Sequence, residues 1–378
     1  MNSKFSEKER KTLRTWIEID TKKAKRNFQS LKKLLGKKIK FTAVTKSNAY
    51  GHGLIDYSML MEKFGADWIC TDSIMEAKSL RDNGLKIPVL VMGYTLPDNF
   101  SLSQKKNISV TISTFENLKL ALKHKGLKIH LKFDTGMGRQ GFLLKDVSKI
   151  LRLIKGEKVV IEGISTHFAR AKTPKKNNET NKQIKLFKEI VSLFKKEGYK
   201  PICHASATAG GIVFDDAHFD MVRFGIGIYG LWPNDSVEKS FKGKIKLEPV
   251  LSWKTVISEV KDLPQGHGIG YDLTYKLKKN SIIAICPIGY WHGYPRILSN
   301  KGHVLVGGKK VKIIGRISMD MMAIDVSGVK GIKVGDEVVL IGKQGKVVVT
   351  AEDIADLSET INYEIITRIN PLIKKFYI

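Results

Sequence analysis

Up to about residue 230, short apolar runs alternate with segments in which apolar side chains recur every three or four positions. The runs KFTAV, DWICT, PVLVM, ISVTI, KIHLKF, VVIEGIST, PICHA and DMVRF are rich in β-branched residues and read as buried strands. Between them, IMEAKSLRDNG and ETNKQIKLFKEIVSLFKKEG have the period of amphipathic helices, the first with Gly84 placed to end it. A segment TWIEI comes first, followed by a helix that Asp20 or Thr21 can cap and whose Ala24, Phe28, Leu31 and Leu35 share one face. Strands buried on both faces and joined by helices run parallel. Eight such units in roughly 200 residues predict a closed (β/α)8 barrel of the TIM type, with an open doubly wound sheet as the alternative.

After about Glu248 the period changes to two, in LSWKTVISEV, NSIIAICPIGY, KKVKIIGRIS and MMAIDV, with Gly-rich turns between. This predicts a separate C-terminal β-rich domain. A chain of 378 residues exceeds the size at which one core usually stops growing, which favours such a division. The polar stretch PNDSVEKSFKGKIKLEP serves as the connection, so domains are expected at 16–246 and 247–378, preceded by a basic extension over 1–15.

Composition narrows the function classes. No run of about eighteen apolar residues exists, and MNSKFSEKERKTLRTW lacks the apolar centre of a secretory signal, so a cytoplasmic protein without a membrane partner is expected. Cys70, Cys203 and Cys286 lie far apart without metal-ligand spacing; no metal is expected, and each reads as a small buried hydrophobe. The net charge of +28 would attract polyanions. Its lysines, however, fall on polar helix faces such as TKKAKRNFQSLKKLLGKK, with no interleaved aromatics to stack bases. We read a solvated basic surface and expect no nucleic-acid partner.

In a barrel, reactive groups collect at the C-terminal ends of the strands. That rule selects Lys46, then Asp134 and Arg139, His167, Ser206 and Thr208, and Arg223. A lysine leaving an apolar strand needs a reason, because an unpaired buried ammonium is costly. A Schiff base to pyridoxal phosphate (PLP) provides one. A stem lining the barrel with its amine reaching water provides another, and the strand alone leaves both open. GMGR lacks the following GK[ST] of a nucleotide loop.

Read together, TKSNAYGHG, LKFDTGMGRQG, STHFA, DMVRFGIGIYG, GIGYDLTY, PIGYWHGYPR, GRISMD and INYE resemble, in order and spacing, the alanine racemases, which are barrel-type PLP enzymes. The resemblance runs from WIEID to INYE, nearly the whole chain. It implies interconversion of L- and D-alanine, supplying D-alanine for peptidoglycan, by a homodimer with shared active sites. Lys46 would carry PLP and exchange the α-proton on the D face; Tyr271, from the partner subunit, would serve the L face. His167 would link that tyrosine to Arg223, which would hydrogen-bond the PLP ring nitrogen. Arg139 would contact the PLP phenolic oxygen and the substrate carboxylate. Lys132 matches a lysine that is carbamylated in many relatives, an ordinary ion pair with Asp134 being the alternative. Phosphate contacts would come from Tyr50, Thr208, Tyr363 and the amides of Gly225 and Ile226. Met319, through its amide, and Tyr290 would approach the substrate from the partner, with Asp320 supporting that wall and His52 holding the loop after Lys46.

Three departures from the family pattern are Ala207-Thr208 in place of Asn-Ser, His292 in place of Asp, and a C-terminus RINPLIKKFYI without the usual arginines. The second is expected to reverse a charge on the substrate's approach. Other readings of the same barrel are a broader-range, serine or lysine racemase, a decarboxylase, and a PLP-homeostasis protein; the last would lack the β domain.

Overall fold

The computed structural model describes residues 7–173 and 178–378. After β1 (Thr15–Ile19), all eight apolar runs form strands: β2 (Lys40–Val44), β3 (Trp68–Thr71), β4 (Val89–Tyr94), β5 (Ile108–Ile112), β6 (Lys128–Lys132), β7 (Val160–Ser165), β8 (Ile202–His204) and β9 (Met221–Phe224). They make one parallel sheet in which each strand from β2 to β7 pairs with the next and β2 pairs with β9, leaving β8 and β9 at its two ends. The remaining seam is drawn together by an Ala207↔Arg223 bridge, where Arg223 N–H donates to Ser206 O (3.0 Å), and by Asp220 N–H donating to Cys203 O (3.0 Å). This is a nearly closed barrel. An open doubly wound sheet would instead leave two free edges.

The alternation of side chains along each strand determines what faces the helices. The helix Asn178–Lys196 buries Gln183, Ile184, Phe187, Ile190, Val191 and Phe194, at the three- and four-residue spacing of its sequence. Its apolar residues join a core with Ile129, Leu131, Phe133 and Ile164. Each fully buried Phe or Ile contributes about 1.5–3 kcal/mol. The intervening residues of β6, among them His130 and Lys132, turn into the barrel. Helix Ile74–Asp82 starts with a Ser73/Glu76 capping box and stops at Asn83, where Gly84 takes φ 90°.

Contacts divide the chain into two compact units. The barrel unit is Lys23–Ala49 with Leu54–Pro249; the other holds the described residues up to Lys22, Tyr50–Gly53 and Val250–Ile378. In this second unit β10 (Leu251–Val256) buries every other residue, as its period-two sequence predicts. β1 pairs antiparallel with β10 and parallel with Lys375–Tyr377, so TWIEI belongs to this sheet and not to the barrel. Two short helices, Ala351–Leu357 and Asn362–Thr367, also lie here; the strand-rich pattern does not announce them. All three cysteines are buried and free. No helix among the described residues is long and apolar enough to cross a membrane.

Candidate active site

The barrel unit presents Lys46 just beyond the end of β2. The residues that follow, Ser47, Asn48, Ala49 and Tyr50, all have φ between 50° and 56°. Each L-residue in that left-handed region costs about 1–2 kcal/mol, so the turn must be held by its neighbours. Glu76 holds it: one carboxylate oxygen accepts from Asn48 N–H (3.3 Å), the other from Asp72 N–H (2.9 Å) and Ser73 N–H (3.3 Å). Lys46 Nζ donates to Asp72 Oδ1 at 3.2 Å. The amine is therefore half-exposed and paired, which removes the burial cost that the apolar strand suggests.

Arg223, on β9, is buried at the centre of the mouth. Its Nη1 donates to His204 Nδ1 (2.5 Å), and its Nη2 donates to Thr166 O (2.9 Å) and Ala205 O (2.8 Å) and lies 3.3 Å from His167 Nδ1. Burial pulls the guanidinium pKa down to about 10, which leaves it charged at neutral pH. His167 follows β7 and is held well below the usual imidazole range, by burial and then, first among the charges, by Arg223. A guanidinium only donates, so Nδ1 of the neutral His167 ring accepts and its hydrogen sits on Nε2.

Lys132 ends β6. Burial, then the Arg223 and Arg139 cations, push its pKa well below the usual lysine value. Among the described residues it forms no ion pair with Asp134, contrary to the alternative considered for it. The Asp134 carboxylate instead accepts from the N–H groups of Gly136 (2.8 Å), Met137 (2.7 Å) and Arg139 (2.9 Å), shaping the GMGR loop. Burial acts to raise the Asp134 pKa, and these backbone bonds outweigh it and leave the carboxyl below its usual range. Thr208 is buried at the start of helix Thr208–Val213, and its hydroxyl accepts from Gly225 N–H (3.0 Å) and Gly227 N–H (3.4 Å). A hydroxyl and the Gly225-Ile226-Gly227 backbone thus form one small cradle.

In the other unit, the rings of Tyr50 and Tyr363 have centroids 6.1 Å apart, and burial followed by Tyr50 raises the Tyr363 pKa. Gly51, at φ 86°, has no room for a Cβ, which would overlap Ile366 O. His52 Nδ1 lies 3.0 Å from Tyr50 O, and the His52 carbonyl accepts from Tyr377 OH (2.7 Å). Tyr290 N–H donates to Ser318 O (3.1 Å) and Trp291 N–H to Met319 O (3.0 Å), so two loops far apart in sequence bring Tyr290 and Met319 together. Both are exposed. Tyr271 is 67% exposed, and its hydroxyl meets no partner among the described residues. His292 does not reverse a charge: it is buried, accepts from Gly289 N–H (3.2 Å) and lies 3.9 Å from Asp320. Burial, then the Arg14 cation, lower its pKa despite the nearby Asp320, so the ring supports its loop as a neutral group.

The chain matches two family descriptions, "Alanine racemase, N-terminal domain" over residues 4–233 and "Alanine racemase, C-terminal domain" over residues 250–377. The chain belongs to the alanine racemase family. It is 40% identical over 370 residues to the alanine racemase of Halothermothrix orenii, covering 96% of each chain. It is 38% identical over 371 residues to that of Symbiobacterium thermophilum, covering 96% of this chain and 97% of that one. A crystal structure of the alanine racemase from Bacillus anthracis with bound L-Ala-P superposes with a TM-score of 0.91 at 33% identity, covering 97% of this chain and 95% of that one.

Alanine racemases are PLP-dependent isomerases, and the activity of this chain is racemisation of alanine. The barrel's donor set fits PLP chemically: an amine for the aldehyde, a neutral hydroxyl with backbone amides for the dianionic phosphate, and a buried guanidinium for the ring nitrogen. Sequence reasoning missed Asp72, Glu76 and His204. Applying the strand-end rule to DWICT would have found Asp72; the SIME capping pattern marks Glu76 only as a helix start, and no local signal gives its second task.

Proposed function

We propose that this alanine racemase works as a homodimer by two bases on opposite faces of the substrate Cα. Lys46 Nζ removes or returns the proton on the D face, and Tyr271 Oη of the partner subunit does so on the L face. Two bases are required because one base returning its proton to the face it came from regenerates the same enantiomer. PLP, when bound through Lys46, supplies an electron sink for the charge left on Cα. Within the barrel unit, Thr208 and the amides of Gly225 and Ile226 hold its phosphate and Arg139 binds the substrate carboxylate; Tyr290 and the Met319 amide of the partner subunit close the approach.

The observation that carries this reading is the Arg223–His167 contact. With Nδ1 taken by Arg223, the Nε2–H of the neutral His167 is available to donate to a phenolate, which a tyrosine base needs because its ordinary pKa is near 10. Arg223 keeps its own proton at neutral pH, so a ring nitrogen facing it accepts a hydrogen bond and no proton, favouring proton exchange over transamination. Tyr271 at 67% exposure, with Tyr290 and Met319 also exposed, is what a residue meant for another chain's site should look like. The test is D-alanine formation from L-alanine across a dilution series. Specific activity should fall as sedimentation shows dimers giving way to monomers. Monomers as active as dimers would sink the shared site.

Lys132 is proposed to be carbamylated. Its neutral amine would add carbon dioxide and release one proton, replacing a group crowded by two cations with an anion that holds Arg139. Exhaustive removal of bicarbonate is expected to raise the alanine KM about tenfold, equivalent to ~1.4 kcal/mol, with recovery on adding bicarbonate back. Intact mass spectrometry under mild conditions should follow the same gain and loss of one carbon dioxide.

A further inference from the structure

We propose that Glu162, at the far end of a buried chain of side chains running through the barrel, is a positioning residue that fixes how His204 holds Arg223. Four groups from β9, β8, β6 and β7 follow one another. Arg223 Nη1 meets His204 Nδ1 at 2.5 Å, His204 Nε2 meets His130 Nδ1 at 2.8 Å, and His130 Nε2 meets Glu162 Oε2 at 3.4 Å. Ser109 donates its hydroxyl hydrogen to the same Glu162 oxygen, and Lys128 Nζ lies 3.6 Å from the other. Both imidazoles are buried, with His130 0% and His204 1% exposed.

Only one proton order satisfies this chain. Arg223 can only donate, so His204 Nδ1 is bare. Burial and the Arg223 charge keep His204 neutral, so its one hydrogen is on Nε2 and is donated to His130 Nδ1. His130 then carries its hydrogen on Nε2, toward a carboxylate. Burial acts to raise the Glu162 pKa, but the bonds from His130 and Ser109 leave it below its usual range, so at neutral pH it is ionised and only accepts. Reversing the order would set a bare nitrogen against that carboxylate and, at the other end, two N–H groups against each other.

The backbone is shaped for this arrangement. β6 and β7 pair Ile129 with Ile161 and then His130 with Gly163, so Glu162 is an extra residue, a bulge that re-aims its side chain inward. As a result Ile161 and Ile164, three apart, both face the helix-side core. Gly163 makes room for the His130 ring, since a Cβ there would overlap Nδ1. Among the described residues no carboxylate touches Arg223, whose partners are two imidazoles and two carbonyls; Glu162 is the anionic end of its chain. With Nη1 committed to a bare His204 nitrogen, the guanidinium plane is set, and with it the position of Nη2 between the Thr166 and Ala205 carbonyls and beside His167.

The catalytic consequence rests on the reading of Arg223 given above; the proton order does not. The test uses holoenzyme with nitrogen-15-labelled histidine. At neutral pH the wild type should show His130 and His204 neutral, each with its hydrogen on Nε2. Glu162→Leu should leave the His130 Nε2–H without its acceptor, shifting the signal of that nitrogen, and lower kcat/KM for alanine about ten- to hundredfold, chiefly through kcat, while Glu162→Gln, which retains an accepting oxygen, should recover most of both. A hydrogen on Nδ1 of His204 or a charged ring in the wild type would overturn the proposal, and this reading needs no variant to fold. So would a Glu162→Leu enzyme with wild-type signals and rates. Arg223→Lys separates the two readings. If it leaves cofactor absorbance and rates unchanged, the assignment of Arg223 fails while the histidine spectrum still judges the relay.

Discussion

Replacing Lys46 with alanine is expected to lower racemisation by ~10⁴-fold or more and to remove the visible absorbance of imine-bound cofactor. Two losses combine. The amine that anchors PLP is gone, and so is the group assigned to the proton on the D face. The surroundings would survive the change: the left-handed turn is held through Glu76 and the Asn48 N–H, and neither bond involves the lysine side chain. The variant should fold with its barrel intact, so lost absorbance would report chemistry and not collapse. Asp72 would lose its cation, but it is exposed, and an exposed pair of this kind contributes at most about 1 kcal/mol. Retention of the imine absorbance in Lys46→Ala would mean that another amine holds the cofactor, and the assignment of every residue placed relative to Lys46 would fall with it.

The barrel was legible because a parallel strand buried on both faces has few sequence solutions: PVLVM is apolar throughout, every residue of ISVTI is buried, and the connecting helices carry a period that no strand can use. The strand-end rule then located Lys46, His167 and Arg223 without knowledge of any contact. It failed where function depends on the barrel interior. His130 and His204 sit inside runs that read as ordinary strands, and Glu162 sits in VVIEGIST, where period-two reading gives it no special direction. The bulge that turns it inward depends on pairing with β6. Pairing is a property of two segments, and no single one displays it.

The same limit applies to the second unit. TWIEI looks like the first strand of whatever follows it, yet its partners are Leu251–Val256 and Lys375–Tyr377, more than two hundred residues on. His292 illustrates a subtler error. A substitution of His for Asp suggests an altered charge, but the charge of a histidine is set by its surroundings. This one is buried against Gly289 N–H, where the neutral ring is the stable form. The change is absorbed by the loop that carries Tyr290.

Tyr271→Phe is expected to divide the reaction into its halves. In heavy water the variant should scarcely exchange the α-proton of L-alanine, a loss of ~10³-fold, because the only group assigned to that face has no hydroxyl. D-alanine should still exchange its α-proton, because Lys46 can remove it and return a deuteron to the same face, giving labelled D-alanine without L product. Equal loss in abstraction from both enantiomers would contradict the assignment of faces. Mixing this variant with Lys46→Ala then tests where Tyr271 acts. If each site takes Lys46 from one subunit and Tyr271 from the other, a mixed dimer has one site with both defects and one with neither. Random reassortment makes half the dimers mixed, so about a quarter of wild-type activity should return from two inactive proteins. If Tyr271 served the barrel of its own chain, every site in the mixture would carry one defect and nothing would return. The 67% exposure of Tyr271 favours the first outcome, because a base already enclosed in its own subunit's site would have no reason to stand in water.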